Sequence, residues 1–190
     1  MTQLELLADV AAALDDLRIA WTLVGSYASA AHGRPRTTHD IDVVAQLRAE
    51  HIGPLQQLLG ERYYLSQEAL AQAVEHGTPA NVLNPRSGDK LDLWPLQADP
   101  YQLAAFNRRK PVTLGGLAAF VQSAEDTILS KLQWLRQSQS ERHYHDALGV
   151  AEVQHGKLDS DYMRRWAGEL GLAADLQRLL AEAEESVGSG

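Results

Sequence analysis

Asp40 and Asp42 stand two residues apart in the run Asp40-Ile41-Asp42-Val43-Val44. In an extended strand alternate side chains share a face. Both carboxylates then point the same way, roughly 6–7 Å apart along the strand, while Ile41 and Val43 turn to the opposite side. Two carboxylates on one face suit a hard cation, since Mg2+ takes one or two protein carboxylates and fills its remaining positions with water and substrate phosphate. Asp-x-Asp alone is usually a solvated pair, so the neighbouring residues decide its meaning.

Those neighbours handle anions. Trp21-Thr22-Leu23-Val24 reads as a short buried strand that runs into Gly25-Ser26 and then into the small-residue segment Tyr27-Ala28-Ser29-Ala30-Ala31-His32. Gly25 permits a tight turn and a close backbone approach. The helix expected from Ser26 would offer free N–H groups and a partial positive charge to a phosphate. Read by itself, this piece is a plain strand-turn-helix with a serine N-cap. Arg34 and Arg36 lie in the linker between this turn and the carboxylate strand, and arginine can grip phosphate oxygens in a bidentate fork. Phosphate and metal handling within one short unit point to chemistry on a nucleoside triphosphate.

The sequence Gly25-Ser26, a short helix, a basic linker and then Thr37-Thr38-His39-Asp40-Ile41-Asp42 resembles the signature of the nucleotidyltransferase superfamily that includes DNA polymerase beta. The resemblance implies that Gly25, Ser26, Arg34, Arg36 and Thr38 bind the nucleotide and that Asp40 and Asp42 hold Mg2+, with Mn2+ as the alternative ion. It also implies a third carboxylate on a later strand. Asp92 in Lys90-Leu91-Asp92-Leu93-Trp94 answers to it. Asp89 is the fallback, in a turn setting after Ser87-Gly88. Three carboxylates can hold a metal pair that clamps the attacking and leaving oxygens. Without metal they repel one another, which predicts a poorly organised face.

A second stretch extends the resemblance over nearly the whole chain. Glu125-Asp126-Thr127-Ile128-Leu129-Ser130-Lys131 and Glu141-Arg142-His143-Tyr144-His145-Asp146 look like the distal motifs of AbiEii-type nucleotidyltransferases, which are toxins of toxin-antitoxin systems. That likeness assigns catalytic roles to Lys131 and Asp146 beside Asp40, Asp42 and Asp92, with Lys131 also on the nucleotide. From the residues alone, Lys131 could neutralise charge at a leaving pyrophosphate, or be a lysine snorkelling at the rim of a helical bundle.

The elements must position these groups. Leu4, Leu7, Val10, Ala11, Leu14 and Leu17 follow helical spacing after a Thr2-x-x-Glu5 capping box. Further helices are expected over His51–Leu59, Gln67–His76 and Asp99–Arg108, with Gly60 and Gly77 as stops. Tyr63-Tyr64-Leu65, Ala80–Asn84 and Lys90–Trp94 read as strands, the last two joined by Asn84-Pro85-Arg86-Ser87-Gly88. Val112–Leu114 and Ala118–Val121 could pair across Gly115-Gly116. From Ser123 onward four helices follow: one opening at Ser123-x-x-Asp126, then Glu141–Val153, one from Asp159 through Leu170, and Ala173–Ala183. The fold class is therefore α/β (α+β): a nucleotidyltransferase head over 1–122 with a mixed sheet flanked by helices, a C-terminal helical bundle over 123–186, and a mobile tail over 187–190.

Composition narrows the function. The chain has 190 residues, 45% of them hydrophobic, and a net charge of -8. That charge argues against a general nucleic-acid coat protein, and Arg108-Arg109-Lys110 and Arg164-Arg165 read as solvated surface. No apolar run approaches transmembrane length, the N-terminus carries no signal pattern and cysteine is absent, so the expectation is a cytoplasmic protein without membrane, disulfide or thiolate chemistry. His143 and His145 diverge on a helix, which speaks against structural zinc. Neither a Gly-x-Ser-x-Gly elbow nor a Walker A loop is present.

The resemblance thus implies an enzyme that moves a nucleoside monophosphate from an NTP to an acceptor hydroxyl and releases pyrophosphate. The acceptor it suggests is tRNA, a protein or another cellular target, with a cognate antitoxin as partner. Trp94, Tyr63 and Tyr64 could stack on a base, though core or rim packing is their ordinary role. Two alternatives stand beside this reading: a non-catalytic binding module or antitoxin-like regulator, and an enzyme that modifies a small molecule such as an antibiotic. Oligomeric state is not legible.

Overall fold

The computed structural model describes residues 3–34, 38 and 40–188. It divides into two compact units. One comprises residues 1–24 and 38–121; the other comprises 25–37 and 122–190. The sequence places a boundary near 123. The contact pattern places one there too, but it also groups residues 25–37 with the helical part.

The first unit is built on a six-stranded mixed sheet of β1 (Trp21–Leu23), β2 (Asp40–Ala45), β3 (Ala80–Leu83), β4 (Lys90–Pro95), β5 (Lys110–Leu114) and β6 (Leu117–Val121), in the order β3-β4-β2-β1-β6-β5. β2 lies antiparallel to β1 and parallel to β4, β1 is parallel to β6, and β3 and β5 are antiparallel edge strands. Alternation sorts the faces. Ile41, Val43, Leu91 and Leu93 are fully buried on one side, while Asp40, Asp42, Lys90, Asp92 and Trp94 alternate to the other. Helices α1 (Gln3–Asp16), α3 (Ile52–Leu59), α4 (Gln67–His76) and α5 (Pro100–Asn107) complete this unit. α1 buries Leu6, Leu7, Val10 and Leu14, and packs on α3 and β4. Burial of each such leucine contributes on the order of 2 kcal/mol.

Local chemistry sets the ends of these helices. Ser66 accepts from the Ala69 amide to start α4, and Gly77 ends it with φ 70°, the left-handed conformation that costs glycine least. Asp99 accepts from the Gln102 amide ahead of Pro100, a favoured first-turn residue. One sequence expectation fails here. Tyr63–Leu65 is not a strand: only Tyr64 forms a bridge, to Leu83, because the chain must enter the α4 cap at Ser66. Gly60 ends α3, as the sequence predicts, though in the right-handed conformation at φ −66°.

The second unit is helical among the described residues: α2 (Gly25–His32), α6 (Ala124–Ser138), α7 (Glu141–Val153), α8 (Ser160–Glu169) and α9 (Ala173–Gly188). α7 packs against α6, α9 and α2, and α8 packs against α6 and α9. Ile128, Leu129, Leu132, Ala147, Val150, Met163 and Leu179 are its fully buried centre. α9 runs through Gly188, past the expected stop at Ala183 and into the segment expected to be a tail. Ala181-Glu182-Ala183-Glu184-Glu185 contains only good helix formers and nothing to end the helix. Ser189 and Gly190, Thr2 of the expected capping box, and His39 lie outside the described residues. Among the described residues no helix is long and apolar enough to cross a membrane.

Candidate functional site

The carboxylate face belongs to the sheet unit. The parallel β2–β4 pairing sets Asp42 beside Asp92 and Asp40 beside Lys90. The chain reversal through β3 sets Asn81 opposite Asp92 on the other flank. Period-two alternation then presents these groups on the same side, above the layer of Ile41, Leu91 and Leu93. Val24 fixes the β2 backbone at this point by donating its amide to the Asp42 carbonyl at 3.0 Å.

Each carboxylate has named neighbours. Asp92 accepts from Asn81 Nδ2 at 2.6 Å on Oδ1 and from Lys90 Nζ at 2.9 Å on Oδ2. Asp42 Oδ1 accepts from the Trp94 indole Nε1 at 3.3 Å. Thr38 turns the chain into β2, its hydroxyl accepting from the Asp40 amide at 3.4 Å. The Lys90 ammonium has its pKa raised, first by the hydrogen bond to Asp92, against the effect of burial, with further attraction from Asp92, Asp40 and Asp42. One cation therefore sits in the field of all three carboxylates. This ammonium offsets part of the repulsion expected among them.

Among the described residues no group of three or more His, Asp or Glu side chains converges in a metal-holding arrangement. The donor set nevertheless suits a hard divalent ion: carboxylate oxygens, two of them on residues in register. The Lys90 ammonium shows that a cation is accommodated there.

The second unit carries the other residues singled out by sequence. Gly25 opens α2 with φ 61°, a left-handed turn that glycine adopts without strain. Ser26 follows in the first turn of α2. Arg34 pairs with Glu152 of α7 at 2.8 Å. Lys131 of α6 and Asp146 of α7 form an ion pair at 2.8 Å, with side chains 7% and 9% exposed. The pair is thus shielded from solvent, and each partner offsets the other's cost of burial. Arg36 lies outside the described residues.

Three neighbours of the carboxylates escaped the sequence reading in these roles: Lys90, Asn81 and Trp94. Lys90 and Trp94 flank Asp92 at i−2 and i+2, so strand alternation alone puts them on its face. Asn81 could have been reached only through the register of the β3–β4 hairpin. Arg109, expected as solvated surface, instead lies over the rings of Phe106 at 4.4 Å and Phe120 at 5.0 Å. Burial lowers its pKa.

No family model and no curated protein matches the chain. Solved structures do. The antibiotic-resistance factor ANT(2'')-Ia aligns with a TM-score of 0.58 at 15% identity, over 99% of this chain and 98% of that one. An antigenic nucleotidyltransferase-like protein from Paracoccidioides brasiliensis aligns at 0.57 and 16% identity, covering 94% and 92%. The lincosamide antibiotic adenylyltransferase LnuA, solved with lincomycin bound, aligns at 0.51 and 12%, covering 80% and 96%. At such identities the likeness speaks to architecture: the chain has the nucleotidyltransferase fold.

Proposed function

We propose that the protein is a metal-dependent nucleotidyltransferase. It would transfer a nucleoside monophosphate from an NTP to an acceptor hydroxyl and release pyrophosphate. The observation that carries this reading is the in-register pairing of Asp42 with Asp92 on parallel strands, with Asp40 on the same face, in a chain of this fold.

In this reading Asp40, Asp42 and Asp92 supply the oxygen ligands of Mg2+ or Mn2+. The ion, when bound, supplies Lewis acidity at the phosphoryl oxygens. Asp92 also accepts the proton of the acceptor hydroxyl as its oxygen bonds to the α-phosphorus and the bond to the pyrophosphate oxygen breaks. Asn81 on Oδ1 fixes the plane of that carboxylate. Trp94 fixes Asp42 in the same way through its indole N–H. We assign Gly25, Ser26, Arg34, Arg36 and Thr38 to the triphosphate. Lys131, oriented by Asp146, is assigned to the charge that develops on pyrophosphate.

For the acceptor we propose a cellular RNA or protein, with tRNA as the leading candidate, and a toxin whose activity a cognate antitoxin holds in check. NTP supply then places it in the cytoplasm. A small-molecule hydroxyl is the second reading. It is favoured by the end-to-end match in length with ANT(2'')-Ia, a structure of which holds adenylyl-2''-tobramycin.

The test is transfer of label from each α-32P-NTP, with and without Mg2+, into total RNA, total protein and a panel of aminoglycosides and lincosamides. Asp42→Ala is the control. We expect metal-dependent label that Asp42→Ala reduces by at least about a hundredfold, the usual scale for loss of an electrostatic group. The class of labelled acceptor chooses between the two readings. Absence of label in every pool, together with absence of NTP binding by calorimetry, would leave a binding module with this fold.

A further inference from the structure

Lys90 is a charged group on the carboxylate face for which nucleotidyl transfer as proposed has no use. It pairs directly across from Asp40 in the β2–β4 register, two pairs along from Asp42 and Asp92. Its ammonium lies 2.9 Å from Asp92 Oδ2. The Asp92 side chain is 15% exposed and that of Lys90 39%, so the pair is shielded on the carboxylate side and open on the ammonium side.

From this geometry we propose that the Lys90 ammonium is the resident cation of the carboxylate face and competes with the divalent ion for Asp92. This rests on the metal-dependent reading above. An ammonium and a divalent ion on the same carboxylate oxygen repel one another, so one excludes the other. With Lys90 in place the three carboxylates are partly neutralised, and the face holds its shape without metal. Metal entry requires the ammonium to swing away. Its four-carbon stem allows this, and its partly exposed tip can be rehydrated. Lys90 therefore sets the affinity for free metal downward and keeps the empty face folded.

The experiment is Mn2+ titration of the full chain without nucleotide, read by electron paramagnetic resonance of free Mn2+. It is paired with thermal melts in EDTA and in Mn2+. Lys90→Met is expected to bind Mn2+ about three- to tenfold more tightly than wild type, the range for a partly shielded ion pair. It should also melt at lower temperature in EDTA and recover in Mn2+. Lys90→Arg, which keeps the charge, should stay near wild type in both readouts. Should Lys90→Met fail to fold by circular dichroism, Lys90→Gln is read in its place. An affinity for Mn2+ that is unchanged or weaker in the neutral variant overturns the proposal. If wild type binds Mn2+ and Asp42→Asn abolishes that binding, the metal reading survives such a result. If no variant binds Mn2+, both fall.

Discussion

Tyr63 donates its hydroxyl to Asp9, which also receives Arg62 at 2.6 Å. Burial and the hydrogen bond to Asp9 push the phenol pKa up to about 12 from an ordinary 10. The folded chain thus favours the neutral phenol. The resulting stability is fully present below pH 10 and is lost as pH rises toward 12. Melting temperature measured from pH 9 to 12 should fall more steeply in wild type than in Tyr63→Phe. At neutral pH that variant loses on the order of 1 kcal/mol, the usual net worth of one hydrogen bond. Parallel curves for the two proteins would show that Tyr63 does not carry the alkaline limb. The same scale shows what sequence could and could not say about the site. Asp40 and Asp42 were legible because two-residue alternation is a property of the strand alone. Asn81 was not, because its place beside Asp92 depends on a register that only the folded hairpin sets. Lys90 and Trp94 stood in the legible pattern, but the β2–β4 register that brings Trp94 to Asp42 did not.

Most helices and strands were legible because their stops are chemical: Ser66, Asp99 and Ser123 as caps, Gly77 as a left-handed terminator. Helix α9 overran its expected end because composition there gives no stop, and Tyr63–Leu65 lost its strand to the neighbouring cap. What joins elements is packing and pairing between them, and the α6–α7 contact is the case in point. Lys131 and Asp146 meet across it at 2.8 Å, nearly dry. Lys131→Met takes the ammonium away from a buried carboxylate and should cost about 3–5 kcal/mol, while Lys131→Met with Asp146→Leu should recover most of that. Denaturant melts of the two single variants and the double variant measure the coupling. Assayed for transfer, the double variant separates two roles. A stable fold with activity lost supports the assignment of Lys131 to pyrophosphate, and a stable fold with activity retained makes the pair purely structural. Gly33 marks a second close contact. A Cβ there would meet Ser29 O at 2.9 Å and the Val150 backbone N at 3.0 Å. Gly33→Ala should therefore push α2 off α7 and destabilise this unit by about 1–3 kcal/mol, the usual penalty for overpacking.

Across the whole chain, the covalent path leaves one unit at 24/25, returns at 37/38 and leaves again at 121/122. A boundary near 123 was legible, since strand-like runs cease there and helical periodicity continues to the end. The grouping of residues 25–37 was not. α2 has eight residues and buries only Ala28 and Ser29, too short a face to announce a partner some hundred residues later. What ties it down is polar and long-range: His32 Nε2 to the Gln122 carbonyl at 2.7 Å, Gln154 Nε2 to the His32 carbonyl at 2.7 Å, and Arg34 to Glu152. A fragment of residues 122–190 keeps α6 through α9 but loses all three links and the cover that α2 gives α6 and α7. Its exposed apolar surface should bind a hydrophobic dye, and its helix signal should melt broadly. Fusing residues 25–37 to its N-terminus through a flexible linker, which supplies α2 at high effective concentration, should sharpen the melt and suppress dye binding. His32→Ala in the fusion should undo part of that gain by removing the link to Gln122. If the bare fragment already melts sharply without binding dye, α2 is not part of what holds the helical unit together, and its grouping there is proximity without stabilisation.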